Sequence, residues 1–157
     1  MFSTSFHDSL RYIVVCLTIH HTIKAVETII DTGAIYTCYM AHSIDPEMTE
    51  SDVSDHIHKD FGGFVDGKNR VVRFYQYPLK QFTIGNIDMG AQNIWITFDK
   101  RISDNVLGMD ILQSIDFLQF RDTGRISFFQ NKAELAEYVA NIQRESEATA
   151  SPGRGER

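Results

Sequence analysis

A chain of 157 residues with 43% hydrophobic and 23% charged residues is typical of one soluble globular domain with a substantial core. Its formal net charge is -6, and its Lys and Arg residues are scattered singly among acidic ones. Nucleic-acid binding needs clustered cations, so we expect no nucleic-acid partner. The longest apolar run, Tyr12 to Leu17, is too short to cross a bilayer. We therefore predict a cytoplasmic protein with no membrane partner.

The first third of the chain is predicted to be mainly β-strand. Residues 1–10 are polar and Ser-rich and are interpreted as an N-terminal arm. Two β-branched, apolar runs follow, over about 11–19 and 23–30, and each predicts a strand. The second run leads directly into Asp31-Thr32-Gly33-Ala34, after which residues 34–40 read as a short strand.

The segment after residue 44 changes character. Asp45-Pro46 is typical of a helix start, and Val53, Ile57 and Phe61 recur every four residues, so we predict a short helix over about 51–59. A Gly-rich stretch then contains Gly62, Gly63, Phe64, Val65 and Gly67. It predicts either the mobile tip of a hairpin or a plain loop after the helix.

The remainder alternates strand patterns with short helices. Strands are expected at about 70–77, 80–84 and 91–98, and a short helix follows Val106-Leu107-Gly108. Two last strands, at about 116–120 and 125–129, are joined by a turn. A capping-box pattern at Asn131 opens a helix that we expect to end near residue 145, and residues 146–157 are predicted to be disordered.

The tripeptide Asp-Thr-Gly occurs twice, beginning at Asp31 and at Asp122. By itself it is a weak signal, because these residues are common in ordinary turns. The second copy lies between two short predicted strands and is flanked by Arg121 and Arg125, so we interpret it as a hairpin turn. The first copy follows an apolar, β-branched strand. We therefore place the candidate chemistry at Asp31.

Two motifs in this order resemble those of the retropepsin-like aspartic proteases: Ile29-Ile30-Asp31-Thr32-Gly33-Ala34 and, far downstream, Val106-Leu107-Gly108. The resemblance covers about residues 11–129 and includes a Gly-containing segment where that family has its flap. It implies a mainly β fold, namely half of a closed retropepsin-like (acid protease) β-barrel with short helices and a C-terminal helix. We accordingly divide the chain into an N-terminal arm (1–10), a protease domain (11–130), a C-terminal helix (131–145) and a disordered tail (146–157).

The resemblance also implies an aspartic endopeptidase whose active site is shared by two copies. Hydrolysis by this route needs two carboxylates that share one proton, so that one activates a water while the other donates to the carbonyl oxygen. Only the Asp31 copy of the tripeptide is followed by an apolar-apolar-Gly element, so a homodimer is expected to supply both carboxylates. The catalytic loop would comprise Asp31, Thr32 and Gly33. Gly33 lets a backbone N–H approach the carboxylate, and the Thr32 hydroxyl would reach the partner loop.

Neighbouring segments receive supporting roles from the same resemblance. An extended polypeptide substrate would lie between the flap and the aspartates, in contact with Ala34, Gly62, Gly63, Phe64 and Val65. Val106, Leu107 and Gly108 would pack beneath the catalytic loop and hold it in position. Trp95 is interpreted as a core residue rather than part of a pocket. Because Ala34 has no hydroxyl to hydrogen-bond the carboxylate, we expect activity nearer neutral pH than that of acid proteases.

Three features depart from the family pattern. Ile35-Tyr36 stands where small or hydroxyl-bearing residues are frequent, and Met109 replaces the basic residue that follows the glycine in retroviral enzymes. The C-terminal helix has no match in the retroviral enzymes, whose terminal strands interleave in the dimer. We therefore expect this dimer to be built differently.

Other functions are open from the residues alone. The alternative is a noncatalytic peptide- or protein-binding module on the same fold, and a further reading is a structural β-protein in which the Asp31 turn is accidental. His20-His21 and His56/His58 lack the spacing of a metal-binding pair on a helix, so we predict no metal and no cofactor.

Overall fold

The computed structural model describes residues 1–5, 12–19, 21–65, 67–120 and 123–150, without the side chains of residues 4–5, 12–14 and 63–65. The described strands are β1 (Phe2–Ser5), β2 (Tyr12–Ile19), β3 (Thr22–Ile30), β4 (Cys38–Met40), β5 (His58–Val65), β6 (Lys68–Leu79), β7 (Gln81–Ile84), β8 (Ile87–Asp88), β9 (Gln92–Thr97), β10 (Val106–Leu107), β11 (Asp116–Phe120) and β12 (Arg125–Phe129). The helices are α1 (Ala41–Ile44), a 3-10 helix (Glu50–Val53), α2 (Met109–Leu112) and α3 (Lys132–Ala150).

The strands form two sheets. Nine of them pair in the order β5-β6-β9-β4-β10-β3-β2-β7-β8, and the other three pair in the order β1-β12-β11. The mainly β prediction is confirmed. In the described residues the larger sheet does not pair β8 with β5, so the closed half-barrel stays a prediction.

The core lies where both sheets turn their apolar faces inward. Alternate residues of the central strands are buried, as a period of two requires for a strand with one face on a core. Leu17, Tyr39, Phe82 and Phe128 are fully buried in this single main cluster. Phe2 and Phe117 pack against it from the smaller sheet. The two sheets therefore enclose one core.

The helix predicted over 51–59 is wrong. A 3-10 helix ends at Val53, and β5 begins at His58. The apolar repeat was misleading because its three residues do not share one buried face. Val53 is 1% exposed, whereas Ile57 is 63% exposed and Phe61 belongs to strand β5. Asp45 does not start a helix either. It follows α1, and its carboxylate accepts a hydrogen bond from the Glu47 N–H at 3.0 Å.

The Gly-rich stretch forms a hairpin rather than a plain loop. Strands β5 and β6 pair antiparallel up to Val65 opposite Lys68, and Gly67 lies in the turn between them. Gly67 has φ 72°, a left-handed conformation that glycine adopts without strain. Gly62 and Gly63 lie within β5 and not at the tip, so their predicted place is corrected.

The chain ends differ in part from the predicted arm and tail. Residues 2–5 form β1, which pairs antiparallel with β12 of the same chain. Helix α3 extends to Ala150, beyond the expected end near residue 145. Residues 6–10 and 151–157 lie outside the described residues.

The second Asp-Thr-Gly lies between paired strands, as predicted. Strands β11 and β12 are antiparallel, with Phe120 opposite Arg125. Gly124 has φ 66° in the turn, while Asp122 lies outside the described residues. None of the described helices combines the length and the apolar character that crossing a bilayer requires.

Candidate active site

Asp31 lies on a loop that leaves β3 and enters β4, and β10 is inserted between these two strands. Val106 and Leu107 pair in parallel with Ile29 and Ile30, and Val106 also pairs antiparallel with Cys38. The two sequence motifs, which are far apart along the chain, are therefore hydrogen-bonded neighbours. Leu107 is fully buried beneath the loop.

The Asp31 loop is positioned by backbone hydrogen bonds on both sides of the carboxylate. The Asp31 N–H donates to the Leu107 carbonyl at 3.0 Å, and the Ala34 N–H donates to the Asp31 carbonyl at 3.2 Å. The Gly33 N–H donates to Asp31 Oδ1 at 2.8 Å, as expected from the sequence. A Cβ at Gly33 would lie 3.2 Å from that same oxygen, so glycine is the residue that leaves this contact unstrained.

The carboxylate and its neighbours are exposed in the single chain. Asp31, Thr32 and Gly33 all have exposed side chains or backbone, and Ala34 is half-buried. In the part of the chain that the structure describes, the hydrogen bond from Gly33 is the carboxylate's only one, and the Thr32 hydroxyl has no partner. The face that carries Asp31 is thus left open to a substrate or to another protein surface.

Gly108 allows the second motif to approach the Asp31 loop. A Cβ at this position would lie 2.5 Å from both the carbonyl carbon and the carbonyl oxygen of Tyr36, and 3.0 Å from the Ala34 oxygen. These are backbone atoms that cannot move away as a flexible side chain could. The close contact lets α2 begin directly against the loop, where the Met109 N–H donates to the Ala34 carbonyl at 2.8 Å.

A polar clasp joins the end of the loop to α2. The Asp110 carboxylate accepts hydrogen bonds from the Thr37 N–H at 3.0 Å and from the Thr37 hydroxyl at 2.6 Å. The same hydroxyl accepts a hydrogen bond from the Gly108 N–H at 3.0 Å. Thr37 is fully buried, so its polar groups need these partners. Thr37, Gly108 and Asp110 thereby fix the path of the backbone where the Asp31 loop ends.

Asn105 joins the strands on either side of β10. Its side-chain oxygen accepts from the Met40 N–H at 2.9 Å, and its amide donates to the Glu27 carbonyl at 3.3 Å. It is 6% exposed, so these bonds are shielded from water. Sequence reasoning missed Thr37, Asn105 and Asp110. The one available signal was their position beside the apolar-apolar-Gly motif: Asn105 directly precedes it, and Asp110 follows it after one intervening residue.

Burial makes the nearby thiol unreactive. Desolvation, reinforced by the negative charge of Asp110, raises the pKa of Cys38 to about 12. The thiol donates to the Tyr36 carbonyl at 3.6 Å. Cys38 and Cys16 are both free cysteines, and the raised pKa disfavours a thiolate at Cys38 near neutral pH.

A second apolar cluster connects the hairpin of β5 and β6 to the Asp31 loop. The Phe61 ring lies 5.0 Å from the Tyr36 ring and 5.5 Å from the Trp95 ring, measured between centroids. Trp95 is 6% exposed, which confirms that it is a core residue, although of this smaller cluster. The Lys59 ammonium lies 5.7 Å from the Trp95 centroid. The base of the hairpin is therefore held against the segment that follows Asp31.

The predicted site residues thus fall into two groups. The structure brings together Asp31, Thr32, Gly33, Ala34, Val106, Leu107 and Gly108 in one hydrogen-bonded unit. Gly62, Gly63, Phe64 and Val65 lie on the hairpin, and the side chains of the last two are outside the described part. Within the described residues no group of three or more His, Cys, Asp or Glu side chains is arranged to hold a metal ion.

Comparisons with known proteins identify the fold. No protein-family model matches this sequence, and no curated protein sequence matches it. A solved structure does match: a retropepsin-like aspartic protease from Rickettsia conorii, with a TM-score of 0.56 over 80% of this chain and 89% of that chain. The two sequences are 14% identical, so the likeness shows the fold alone. This chain therefore has the mainly β fold of that protease.

Proposed function

We propose that this protein is an aspartic endopeptidase that acts as a homodimer. The observation that carries the proposal is the Asp31 carboxylate itself: it is exposed, it accepts the Gly33 N–H at 2.8 Å, and its loop is fixed by a second motif on β10. A carboxylate held rigidly at an open face is what proton transfer to and from a bound substrate requires. One chain supplies one such group.

The second carboxylate is assigned to a second copy of the chain. In a two-fold dimer, the same residue from each copy faces its mate across the axis. Two carboxylates at hydrogen-bonding distance cannot both ionise, so the pair holds one proton near neutral pH. The ionised member removes a proton from water as the oxygen attacks the peptide carbonyl carbon, while the protonated member donates to the carbonyl oxygen. The resulting tetrahedral species then breaks its C–N bond as the amine takes up a proton.

The neighbouring residues bind the substrate and join the two copies in this proposal. The Thr32 hydroxyl, which has no partner among the described residues, contacts the opposite loop. Strand β5 is an end strand of the larger sheet, so its free edge, with Gly62 and Gly63, can pair with an extended peptide. Phe64 and Val65 near the tip, together with Ala34 beside Asp31, complete the peptide-binding surface.

Replacing Asp31 by Asn tests this function. Purified wild-type and Asp31→Asn proteins are incubated with a fluorogenic peptide library, and their mass is measured by sedimentation at the same concentration. We expect a dimer in both cases and a fall in kcat of at least about 100-fold in the variant, because an amide cannot act as the general base. Asp55→Asn, whose side chain is 88% exposed, is the matched control and should cleave normally.

Several results would contradict the proposal. Cleavage that survives Asp31→Asn, or a strictly monomeric protein with full activity, excludes a shared pair of aspartates. Peptide binding without cleavage by the wild type would instead favour the noncatalytic binding module. Because Ala34 offers no hydroxyl to the carboxylate, we also place the activity near neutral pH, in keeping with a cytoplasmic enzyme. A rate profile with its maximum below about pH 4 would contradict that part.

A further inference from the structure

The register of β5 and β6 divides the hairpin side chains between two faces. Residues that lie directly opposite each other in an antiparallel pair share a face, and faces alternate along each strand. Phe61 lies opposite Val72, and both belong to the cluster that contains Tyr36. We call the face with Phe61 and Val72 the inner face, because it is turned toward the segment that follows Asp31.

The inner face continues toward the hairpin tip with cations. Two positions beyond the Phe61–Val72 pair, Arg70 lies opposite Gly63, and two positions further Lys68 lies opposite Val65. Both cationic residues are exposed. Nearer the base, Lys59 lies opposite Phe74 on the same face. The inner face therefore carries an apolar cluster at its base and positive charge toward its tip.

The charges of the two faces are balanced differently. On the outer face, Arg73 pairs with Asp60, with Nε and Oδ1 2.9 Å apart. On the inner face, neither Lys68 nor Arg70 has a carboxylate within 4 Å among the described residues. The outer cation is neutralised within the hairpin, whereas the two inner cations have no such partner in the described part of the chain and can pair with another molecule.

This positive surface stands out on an acidic protein. The range His58–Leu79 holds four of the 15 basic residues but only two of the 21 acidic ones. At physiological ionic strength the screening length is about 8 Å, so a bound chain experiences the nearby hairpin cations more strongly than the distant acidic residues. The net charge of -6 therefore does not prevent the binding of an anionic segment at this place.

We infer that the inner face of the hairpin selects polypeptide segments with acidic side chains, placed at alternate positions of an extended chain. Arg70 and Lys68 are two residues apart on one strand, a spacing of about 6.5 Å that matches side chains i and i+2 of an extended peptide. The apolar part of the face, around Phe61, takes a neighbouring apolar side chain. The inference rests on the proposed function for its setting, and it defines the substrate class of that same site.

A binding measurement with inactive protein tests the inference. The probes are two fluorescein-labelled peptides of about eight residues that alternate Val with Glu in one case and Val with Gln in the other. Fluorescence anisotropy is recorded with full-length Asp31→Asn protein, so that no probe is consumed. We expect the Glu peptide to bind about three- to tenfold more tightly than the Gln peptide, with the ratio falling as salt is raised.

Two charge-matched variants identify the surface responsible. In the Asp31→Asn background, Lys68→Gln together with Arg70→Gln should bring the ratio close to one. Lys132→Gln together with Arg144→Gln removes the same charge from α3, which packs on β11 and β12, and should leave the ratio unchanged. The salt dependence of the Asp31→Asn protein shows, without a change in the hairpin, that the preference is electrostatic.

Each outcome separates this inference from the proposed function. Equal or undetectable binding of the two peptides, or a Glu preference that survives the hairpin variant, overturns the inference even if the wild type cleaves peptides. Binding of a labelled oligothymidylate as tight as that of the Glu peptide also overturns it, since the cations would then recognise any polyanion. A hairpin-dependent Glu preference without cleavage by the wild type supports the inference and refutes the endopeptidase.

Discussion

The Asp31 loop and the hairpin of β5 and β6 are fastened to the molecule by different kinds of contact. The loop is held on both sides by hydrogen bonds that it donates, to the Leu107 carbonyl at its start and to the Asp110 carboxylate at its end. The hairpin is held at its base by the contact of Phe61 with Tyr36 and Trp95. Its tip, near Gly67, extends beyond this cluster.

This difference suits the two tasks proposed for them. Directional hydrogen bonds to buried groups define one geometry, because each unsatisfied partner is costly. Aromatic contacts are less directional and tolerate small displacements. The contacts of the loop therefore hold a carboxylate in one position, whereas those of the hairpin allow small shifts that adjust it to a bound peptide. Substitutions in the loop should therefore displace the Asp31 carboxylate, and substitutions in the hairpin should change the affinity for a peptide.

Replacing one glycine in each region by alanine should give the largest difference in the free energy of unfolding. Gly108→Ala places a Cβ 2.5 Å from the Tyr36 backbone, so we expect a loss of about 3 kcal/mol in the free energy of unfolding. Gly62→Ala meets no atom within 4 Å and should change it by less than about 0.5 kcal/mol. Urea denaturation of the two variants measures both. Equal losses would show that the close approach at Gly108 is not what fastens the loop.

One aspartate from each region should give the next largest difference. Asp110→Ala leaves the buried Thr37 N–H and hydroxyl without their acceptor, at a cost of about 2 kcal/mol in the free energy of unfolding. Asp60→Ala removes an exposed pairing with Arg73, and exposed pairs contribute little. Urea denaturation at neutral pH again compares them. A loss at Asp60 as large as that at Asp110 would refute the assignment of the clasp.

The hairpin contact should affect binding more than stability. Phe61→Leu keeps an apolar side chain but loses the aromatic contacts with Tyr36 and Trp95, worth about 1 kcal/mol in the free energy of unfolding. We expect the dissociation constant of the Glu peptide to rise by a larger factor in Phe61→Leu than in the control variant Val71→Ala, which keeps Phe61. Val71 is 68% exposed on the outer face, so its truncation should leave both quantities unchanged. Unaltered peptide binding in Phe61→Leu would count against the inner face.

The smallest expected effect is a pH dependence of the free energy of unfolding. It arises at the turn before Ile102, a residue that packs against the smaller apolar cluster around Trp95. Hydrogen bonds from Arg101 lower the pKa of Asp99 from 3.8 to about 2. Because the folded pKa is the lower one, the stabilisation is present above about pH 4 and is lost as the pH falls toward 2. The difference in urea midpoint between wild type and Asp99→Asn should therefore shrink over that range. A difference that grows on acidification would contradict the assignment, and Asp55→Asn serves as the exposed control.

The Asp31 loop could be predicted from the sequence better than the parts that support it. An apolar strand that enters Asp31 and a distant Val106-Leu107-Gly108 are local patterns, and the structure places them together. Thr37 and Asp110 form their contact across 73 positions, and each is unremarkable in its own local sequence. Periodicity describes which residues face a core, but it does not indicate which buried polar groups find each other.

The hairpin shows a different limit of sequence reasoning. Its glycines indicated a turn, yet Gly62 lies within β5 because a strand at the end of a sheet tolerates residues that pack against nothing. The helix expected just before it came from apolar residues at a spacing of four, of which only Val53 is buried in the main core. Three coincident positions are too few to separate a helical stripe from unrelated contacts. Both the position of Gly62 and the absence of the expected helix over 51–59 follow from tertiary packing rather than from local sequence.

The insertion of β10 between β3 and β4 has a consequence for the order in which this protein folds during synthesis. The contacts that complete the Asp31 loop join residues 71 to 78 positions apart, such as Gly108 with Thr37 and Asn105 with Glu27. During synthesis from the N-terminus, the loop therefore emerges from the ribosome long before its supports exist. The carboxylate reaches its working geometry only after most of the chain has been made. We therefore expect the proposed endopeptidase activity to be absent from a nascent chain.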